Sequence, residues 1–253
     1  MGVMPVNKLL VTMSLPIVIS MLIQAMYNLV DSVFVAQINP DALTAVGMAF
    51  PMQSLMIAFQ TGLGVGMNAL VSRYLGQKKP YEAGLAATHA LILTALNYVI
   101  FLIVGLTAIP AFFSIQTHSE IIAGYGVEYL SIVCCGSLGL FFQIYGERIL
   151  QATGKTLLSM VSQILGAVIN IVLDPVFIFG VDFLGIPAMG VTGAAIATVT
   201  GQIIAAAVGF LLHHFHNKEL RLVFRKFRLN LGTIKTIYAV GIPVSYTHLT
   251  LPT

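Results

Sequence analysis

The sequence predicts an all-α integral membrane protein, built as a bundle of six transmembrane helices. Of its 253 residues, 58% are hydrophobic and only 8% are charged, whereas a soluble domain carries about 25% charged residues. Such a chain lacks the polar residues to cover a water-facing surface. Six apolar runs are long enough to cross a bilayer, which takes about 20 residues, and the basic residues all fall on one side of them.

The six predicted spans follow one another through short connections, so consecutive helices are expected to be antiparallel neighbours. Proline and glycine occur inside several spans, but neighbouring helices and polar side chains can satisfy the backbone groups that such breaks release. Gly62, Gly64 and Gly66 have no strand before them and predict close helix packing rather than a nucleotide loop. The predicted spans are residues 9–36, 43–71, 86–110, 121–146, 157–180 and 188–214.

The basic residues determine the predicted orientation. With six spans, every lysine and arginine lies on the same side as the amino terminus, and the connections on the other side contain none. The positive-inside rule therefore places the amino terminus in the cytoplasm. The twelve residues are Lys8, Arg73, Lys78, Lys79, Arg148, Lys155, Lys218, Arg221, Arg225, Lys226, Arg228 and Lys235.

The chain then begins to repeat itself. Lys8 precedes Pro16 by eight residues, and Lys235 precedes Pro243 by the same interval. Six spans return the chain to its starting side, so a second copy would enter the membrane in the same direction, as a parallel repeat. We therefore divide the chain into a six-helix amino-terminal lobe (1–214), a basic cytoplasmic linker (215–234), the start of a second lobe (235–244) and a tail (245–253).

The tail is polar where the repeat predicts a continued apolar run. We expect a truncated fragment in which residues 245–253 are not native, with a native short tail as the alternative. The missing carboxy-terminal lobe of the full-length chain is then the principal protein partner of this one.

Composition also excludes several classes of function. The formal charge of +3 is too small to indicate nucleic-acid binding, and no Gly-x4-Gly-Lys-Ser/Thr motif for ATP occurs. Cys134 and Cys135 are adjacent in an apolar run, which favours buried thiols over a disulfide or zinc site. We expect a protein of the lipid bilayer that is not an enzyme and has no cofactor beyond a coupling ion.

Two acids lie well inside the predicted spans, Asp31 in the first and Asp174 in the fifth. A charged side chain in a bilayer is costly, so an intramembrane acid is a candidate functional residue. Both helices run outward, and both acids lie six residues before the end of their span, which is about 9 Å at 1.5 Å per residue. Their equal depth allows the two carboxylates to meet.

Each acid shares a helical face with amides. Gln24, Asn28 and Asp31 form one stripe, and Gln163, Asn170 and Asp174 form another. We expect the two stripes to line a cavity that opens outward, with hydrogen bonding between helices as the alternative role for the amides. Two close carboxylates bind a proton or a small cation, and nearby amide and hydroxyl oxygens suit sodium.

The remaining charged candidates are weaker. Glu147 and Arg148, at the cytoplasmic end of the fourth span, are expected to pair with each other. His213, His214 and His216 have no acid or cysteine partner in the sequence pattern and do not predict a metal site. No basic residue lies deep in a span, which favours a cationic cargo.

Several motifs in the predicted spans carry a resemblance to a known family. The first, second, fifth and sixth spans resemble those of multidrug and toxic compound extrusion (MATE) transporters. The motifs are Leu15-Pro16, Tyr27-Asn28-x2-Asp31, Ala45-Val46-Gly47 to Pro51, Asn170-x3-Asp174-Pro175, and Gly190-Val191-x-Gly193-Ala194-Ala195-x-Ala197-Thr198.

The resemblance implies a twelve-helix fold in two lobes, of which this chain holds the amino-terminal one, in the cell inner membrane. Its members exchange sodium or protons for exported drugs or toxic organic cations. The matching positions imply a cation site at Asp31, Asn170, Asp174 and Thr198, with Thr192 as an alternative to Thr198. Gln24, Tyr27, Asn28 and Gln163 are expected to line the substrate cavity.

Two other functions stay open. One is a lipid-linked oligosaccharide flippase of the same superfamily, whose cavity would need basic residues for phosphate. The other is a membrane scaffold or channel that does not transport by alternating access.

Overall fold

A computed structural model describes residues 5–224 and 227–250, and over those ranges the chain is a bundle of α-helices, as predicted. Five of the helices are each long and apolar enough to cross a membrane, and a bent pair supplies a sixth span. The helices are α1 (Val6–Ala36), α2 (Pro40–Gly76), α3 (Pro80–Thr107), α4 (Ile109–Gln116), α5 (Glu120–Cys135), α6 (Leu138–Ala152), α7 (Thr156–Phe179), α8 (Gly190–His216) and α9 (Leu231–Thr250).

The fourth predicted span is two helices rather than one. α5 and α6 meet at an angle of 47°, separated by Gly136 and Ser137, and glycine–serine pairs are a common cause of kinks. A Cβ at Gly136 would lie 2.5 Å from Val199 of α8. The break therefore lets α8 approach closely.

Helix ends follow local sequence signals. Asn39 caps α2, its Oδ1 accepting from the backbone N–H of Ala42 at 2.6 Å, and prolines start α2 and α3. Gly180 ends α7 at a φ of +75°, where a Cβ would lie 2.5 Å from Ala188 N. Glycine is required there because both the left-handed backbone and the close approach exclude a side chain.

We call the end of the bundle where α1 begins the basic end, since the helix ends there carry the basic residues. α7 packs against α8 and α1, while α2 packs against α3, α5, α6 and α9. The helices from α1 to α8 thus enclose one lobe, and α9 lies along its α2 face.

The glycines of α2 make this last contact possible, as their spacing predicted. A Cβ at Gly66 would lie 2.1 Å from the carbonyl oxygen of Ile237, and a Cβ at Gly241 would lie 2.5 Å from that of Gly62. Small residues let helix backbones approach in this way. The backbones of α9 and α2 therefore lie in direct contact.

The segment between α8 and α9 lies against α3. Thr88 Oγ1 accepts from the backbone N–H of Val223 at 2.9 Å, and His89 Nε2 accepts from that of Asn230 at 2.9 Å. Two of the basic residues assigned to the linker, Arg225 and Lys226, lie outside the described residues.

The helix after this segment starts earlier and runs further than the boundaries we assigned. α9 begins at Leu231, inside the predicted linker, and continues through Val244 to Thr250. The last three residues of the predicted tail, 251–253, lie outside the described part of the chain.

Candidate functional site

A buried polar cluster joins α7 to α8. Asn170 Nδ2 donates to Asp174 Oδ1 at 3.3 Å and to Thr198 Oγ1 at 3.4 Å. Asp174 is 0% exposed and Asn170 is 3% exposed. The structure thus brings together three of the four residues predicted for the cation site.

The backbone packing of the two helices creates this cluster. A Cβ at Gly201 would lie 2.8 Å from the carbonyl oxygen of Gly166 and 3.2 Å from Cβ of Asn170. Glycines at both positions allow α7 and α8 to meet closely. The close approach brings Thr198, one turn before Gly201, within reach of Asn170.

Two acceptor atoms in the cluster have no hydrogen-bond partner among the described residues. They are Asp174 Oδ2 and Asn170 Oδ1, and both are buried. Buried polar atoms are nearly always hydrogen-bonded. A pair of free oxygens, one of them from a carboxyl group, suits a bound proton or a hard cation.

Asp31 approaches the cluster from α1. It lies five residues before the end of α1, and Asp174 lies five before the end of α7. The two carboxylates lie within electrostatic reach of each other. Asp31 Oδ1 is buried and unpartnered among the described residues, which adds a third free acceptor.

The amides predicted to accompany the acids behave differently from one another. Gln163 Nε2 donates to Gln24 Oε1 at 3.0 Å, and this bond links α7 to α1. Tyr27 is half-buried, whereas Asn28 is exposed. The stripe on α1 therefore only partly faces α7.

A cavity of about 150 Å³ lies between α1, α2, α6, α7 and α8, and His248 of α9 also lines it. Gln24, Tyr27, Gln163, Asn170 and Thr198 all line it, whereas neither aspartate does. It extends along α6 as far as Gln151, close to the basic end.

We expected a cavity open to the outer side, and the observed one extends in the other direction. The physical reason is that the packing of α1 on α7 and the hydrogen bonds of Asn170 place the two aspartates outside the cavity, behind the wall that Asn170 forms. Asn170 consequently forms the border between the cavity and Asp174.

Sequence reasoning missed a second polar group in this cavity. Glu147 and Arg148, near the basic end of α6, both line it. Their charges act on each other, as expected of a local pair, but their hydrogen bonds go to glutamines. Gln143 Nε2 donates to Glu147 Oε1 at 2.9 Å, and Arg148 Nη1 donates to Gln151 Oε1 at 3.0 Å. The sequence contained one signal for this group: Gln143, Glu147 and Gln151 are spaced four residues apart and so share one face of α6.

This placement corrects the expectation about the cavity's charge. Arg148 lies four residues before the end of α6, and its Nε is buried. A basic group therefore faces the cavity, and the distribution of basic residues no longer favours a purely cationic cargo.

Thr192, the alternative to Thr198, lies elsewhere. Its hydroxyl donates to Glu128 of α5, near the end of the bundle opposite the basic end. Thr198 is the threonine that contacts Asn170.

Comparison with known proteins gives several matches. The family model described as MatE matches residues 16–176. The FAD transporter of Shewanella oneidensis is 27% identical over 152 residues, which cover 60% of this chain and 34% of that protein. The multidrug export protein MepA of Staphylococcus haemolyticus is 26% identical over 160 residues, covering 62% of this chain and 35% of that protein.

Solved structures match over nearly the whole chain. A MOP-superfamily transporter from Pyrococcus furiosus, described as having a binding pocket of reverse polarity, is 32% identical with a TM-score of 0.87. The match covers 96% of this chain and 52% of that one. A MATE crystal structure in complex with MaD5 gives a TM-score of 0.88 at 32% identity, covering 96% of this chain and 54% of that one. The chain thus spans about half the length of these transporters.

Proposed function

Because this chain belongs to the MATE family of membrane transporters, whose family model matches residues 16–176, we propose that it forms the amino-terminal lobe of a cation-coupled exporter. Members of this family are transporters and not enzymes. The exporter takes small molecules out across the cell inner membrane, and inward movement of Na⁺ or H⁺ drives the transport.

The observation that carries the proposal is the set of free acceptors around Asp174. Asp174 Oδ2, Asn170 Oδ1 and Asp31 Oδ1 are buried without hydrogen-bond partners among the described residues. We infer that these two acids and the amide oxygen form a site for one positive charge. Thr198 orients the amide of Asn170 by accepting from its nitrogen.

The coupling step follows from the charges. With both carboxylates ionised, Asp31 and Asp174 repel each other across the α1–α7 contact. A proton or Na⁺ between them removes that repulsion and allows α1 to seat against α7. Since α1 also lines the cavity, its movement changes the shape of the space that holds the cargo.

The cargo is a lipophilic small molecule, and relatives of this chain include a multidrug export protein and a FAD transporter. An FAD-like or lipid-linked anionic cargo is the second candidate, because Arg148 places a guanidinium in the cavity. The glutamines and tyrosine of the cavity offer hydrogen bonds to either kind of molecule.

The test is efflux by the protein expressed from its complete gene. We expect Asp31→Asn and Asp174→Asn each to reduce efflux by about tenfold or more, equivalent to ~1.4 kcal/mol, and to abolish its dependence on the Na⁺ or H⁺ gradient. Asp182→Asn, an exposed acid in the loop after α7, is the control and should transport normally. Unchanged efflux and ion dependence in both site variants would refute the coupling proposal.

A further inference from the structure

The cavity contains unpartnered polar atoms of opposite kinds. Arg148 Nε, a donor, has no hydrogen-bond partner among the described residues, and neither have two acceptors, Gln202 Oε1 and Asn170 Oδ1. All three residues line the cavity. Buried polar atoms are nearly always paired, and here three unpaired ones belong to side chains around a single cavity.

The position of Arg148 is built into the surrounding helices. Its Nη1 donates to Gln151, and Gln151 Nε2 in turn donates to Ser159 Oγ of α7 at 3.1 Å. Its aliphatic part lies against α2 at Gly64, where a Cβ would come within 2.7 Å of Arg148 Cγ. Any side chain at position 64 would displace the arginine.

Arg148 shares the cavity with Glu147, and their opposite charges act on each other, but no hydrogen bond joins the two side chains. Glu147 accepts from Gln143, and Gln151 is a neutral partner for the guanidinium. A guanidinium presents its N–H groups as a planar fork that matches the two oxygens of a carboxylate or phosphate. With Nη1 used by Gln151 and Nε free, one edge of this fork remains for such a group.

The unpartnered donor and the unpartnered acceptors lie at different positions along the length of the lobe. Arg148 is near the basic end of α6, while Asn170 and Gln202 lie further inside, towards the aspartates. A molecule with an oxyanion at one end and a cationic or hydrogen-donating group at the other satisfies both.

We propose that Arg148 is the anion-binding residue of the cargo site, so that the exporter takes zwitterionic small molecules by their carboxylate or phosphate group. This inference rests on the proposed export function and names a substrate class for it. Gln202 receives the opposite end of the molecule, because Asn170 Oδ1 belongs to the coupling-ion site. Gly64 is a positioning residue, since it acts only by admitting the arginine.

The test compares two dyes that differ in one charge. Rhodamine B carries a cationic xanthylium and a free carboxylate, and its ethyl ester keeps the cation alone. We expect Arg148→Gln, in the protein from its complete gene, to reduce efflux of rhodamine B about tenfold or more and to leave efflux of the ester within about twofold. Arg73→Gln, which removes an exposed arginine at the end of α2, is the control for charge alone.

Two further variants guard against misfolding. Arg148→Lys keeps the charge but loses the planar fork and should recover only part of the rhodamine B efflux. Gly64→Ala leaves the arginine in the sequence but displaces it, and should show the same selective loss. Normal ester efflux in each variant demonstrates a folded transporter.

The outcomes separate this inference from the exporter proposal. Equal efflux of both dyes by Arg148→Gln and wild type, or an equal loss of both, overturns the role of Arg148 while export stands. Absence of export of either dye by wild type counts against the function itself. If Arg148→Gln reduces transport of a fluorescent phospholipid but not efflux of rhodamine B, the anion that Arg148 binds is a lipid headgroup. The small-molecule assignment is then overturned.

Discussion

α7 and α1 each carry one acid five residues before the helix ends, yet they hold it in different ways. Asp174 of α7 is 0% exposed, hydrogen-bonded to Asn170 and backed by the close contact of α7 with α8. Asp31 of α1 is only half-buried, and the α1 face around it is largely exposed, including Asn28. One acid is fixed and the other sits on a weakly held helix.

The difference indicates which half of the site moves. A cation site that must bind and release its ion needs one wall whose position depends on occupancy, and α1 has few buried contacts to lose. α7 is held by α8 through backbone-distance packing and cannot follow. We therefore expect ion binding to change the position of α1 relative to a fixed α7.

The largest effect should come from separating α7 from α8. In Gly201→Val, a side chain must enter where even Cβ lies 2.8 Å from the carbonyl oxygen of Gly166, and overpacking of this kind costs about 1–3 kcal/mol. We expect lower stability in detergent denaturation and loss of ion-dependent efflux. Gly124→Val is the control, because nothing lies within 4 Å of a Cβ there; equal behaviour of the two variants would contradict the role of helix packing.

A smaller effect on stability should distinguish Asn170 of α7 from Asn28 of α1. Asn170→Ala removes the bonds to Asp174 and Thr198, and membrane hydrogen bonds are worth on average about 0.6 kcal/mol each. We expect stability to fall by about 1 kcal/mol and the apparent affinity for the coupling ion to weaken. Asn28→Ala, at the exposed position on α1, should change stability by less than about 0.5 kcal/mol. If Asn28→Ala lost as much stability as Asn170→Ala, α1 would be held as firmly as α7.

The smallest effect concerns the link between the two helices. Gln163→Leu deletes the 3.0 Å bond to Gln24 and should cost about 0.6 kcal/mol. Because this bond joins the moving wall to the fixed one, we expect the ion dependence of efflux to shift more than stability does. A change in stability alone, with ion dependence as in wild type, would assign the bond a purely structural role.

The sequence was sufficient for features that depend on one helix at a time. Hydropathy located the spans, and helical periodicity placed Asn170 and Asp174 on one face. What it could not provide was the pairing of faces between helices distant in sequence. That pairing depends on backbone contacts such as Gly166 with Gly201, and these decide that Thr198, rather than Thr192, meets Asn170.

The same limit explains the features that were missed. The bend at Gly136 and the cavity-facing position of Arg148 both depend on which helix lies opposite, α8 for the first and α2 at Gly64 for the second. A hydropathy profile treats Arg148 as a residue at a span boundary. Only the packing shows that its guanidinium turns inward.

The attachment of the segment after α8 to α3 has a mechanical consequence. Val223 and Asn230 are bound at their backbone nitrogens by Thr88 and His89, and Asn230 Oδ1 then accepts from the backbone N–H of Gly232 at 2.8 Å to start α9. The polar segment after α8 is therefore attached to α3 at two of its described residues. Because Asn230 both binds α3 and starts α9, we expect any swing of α9 to pivot on its own first turn.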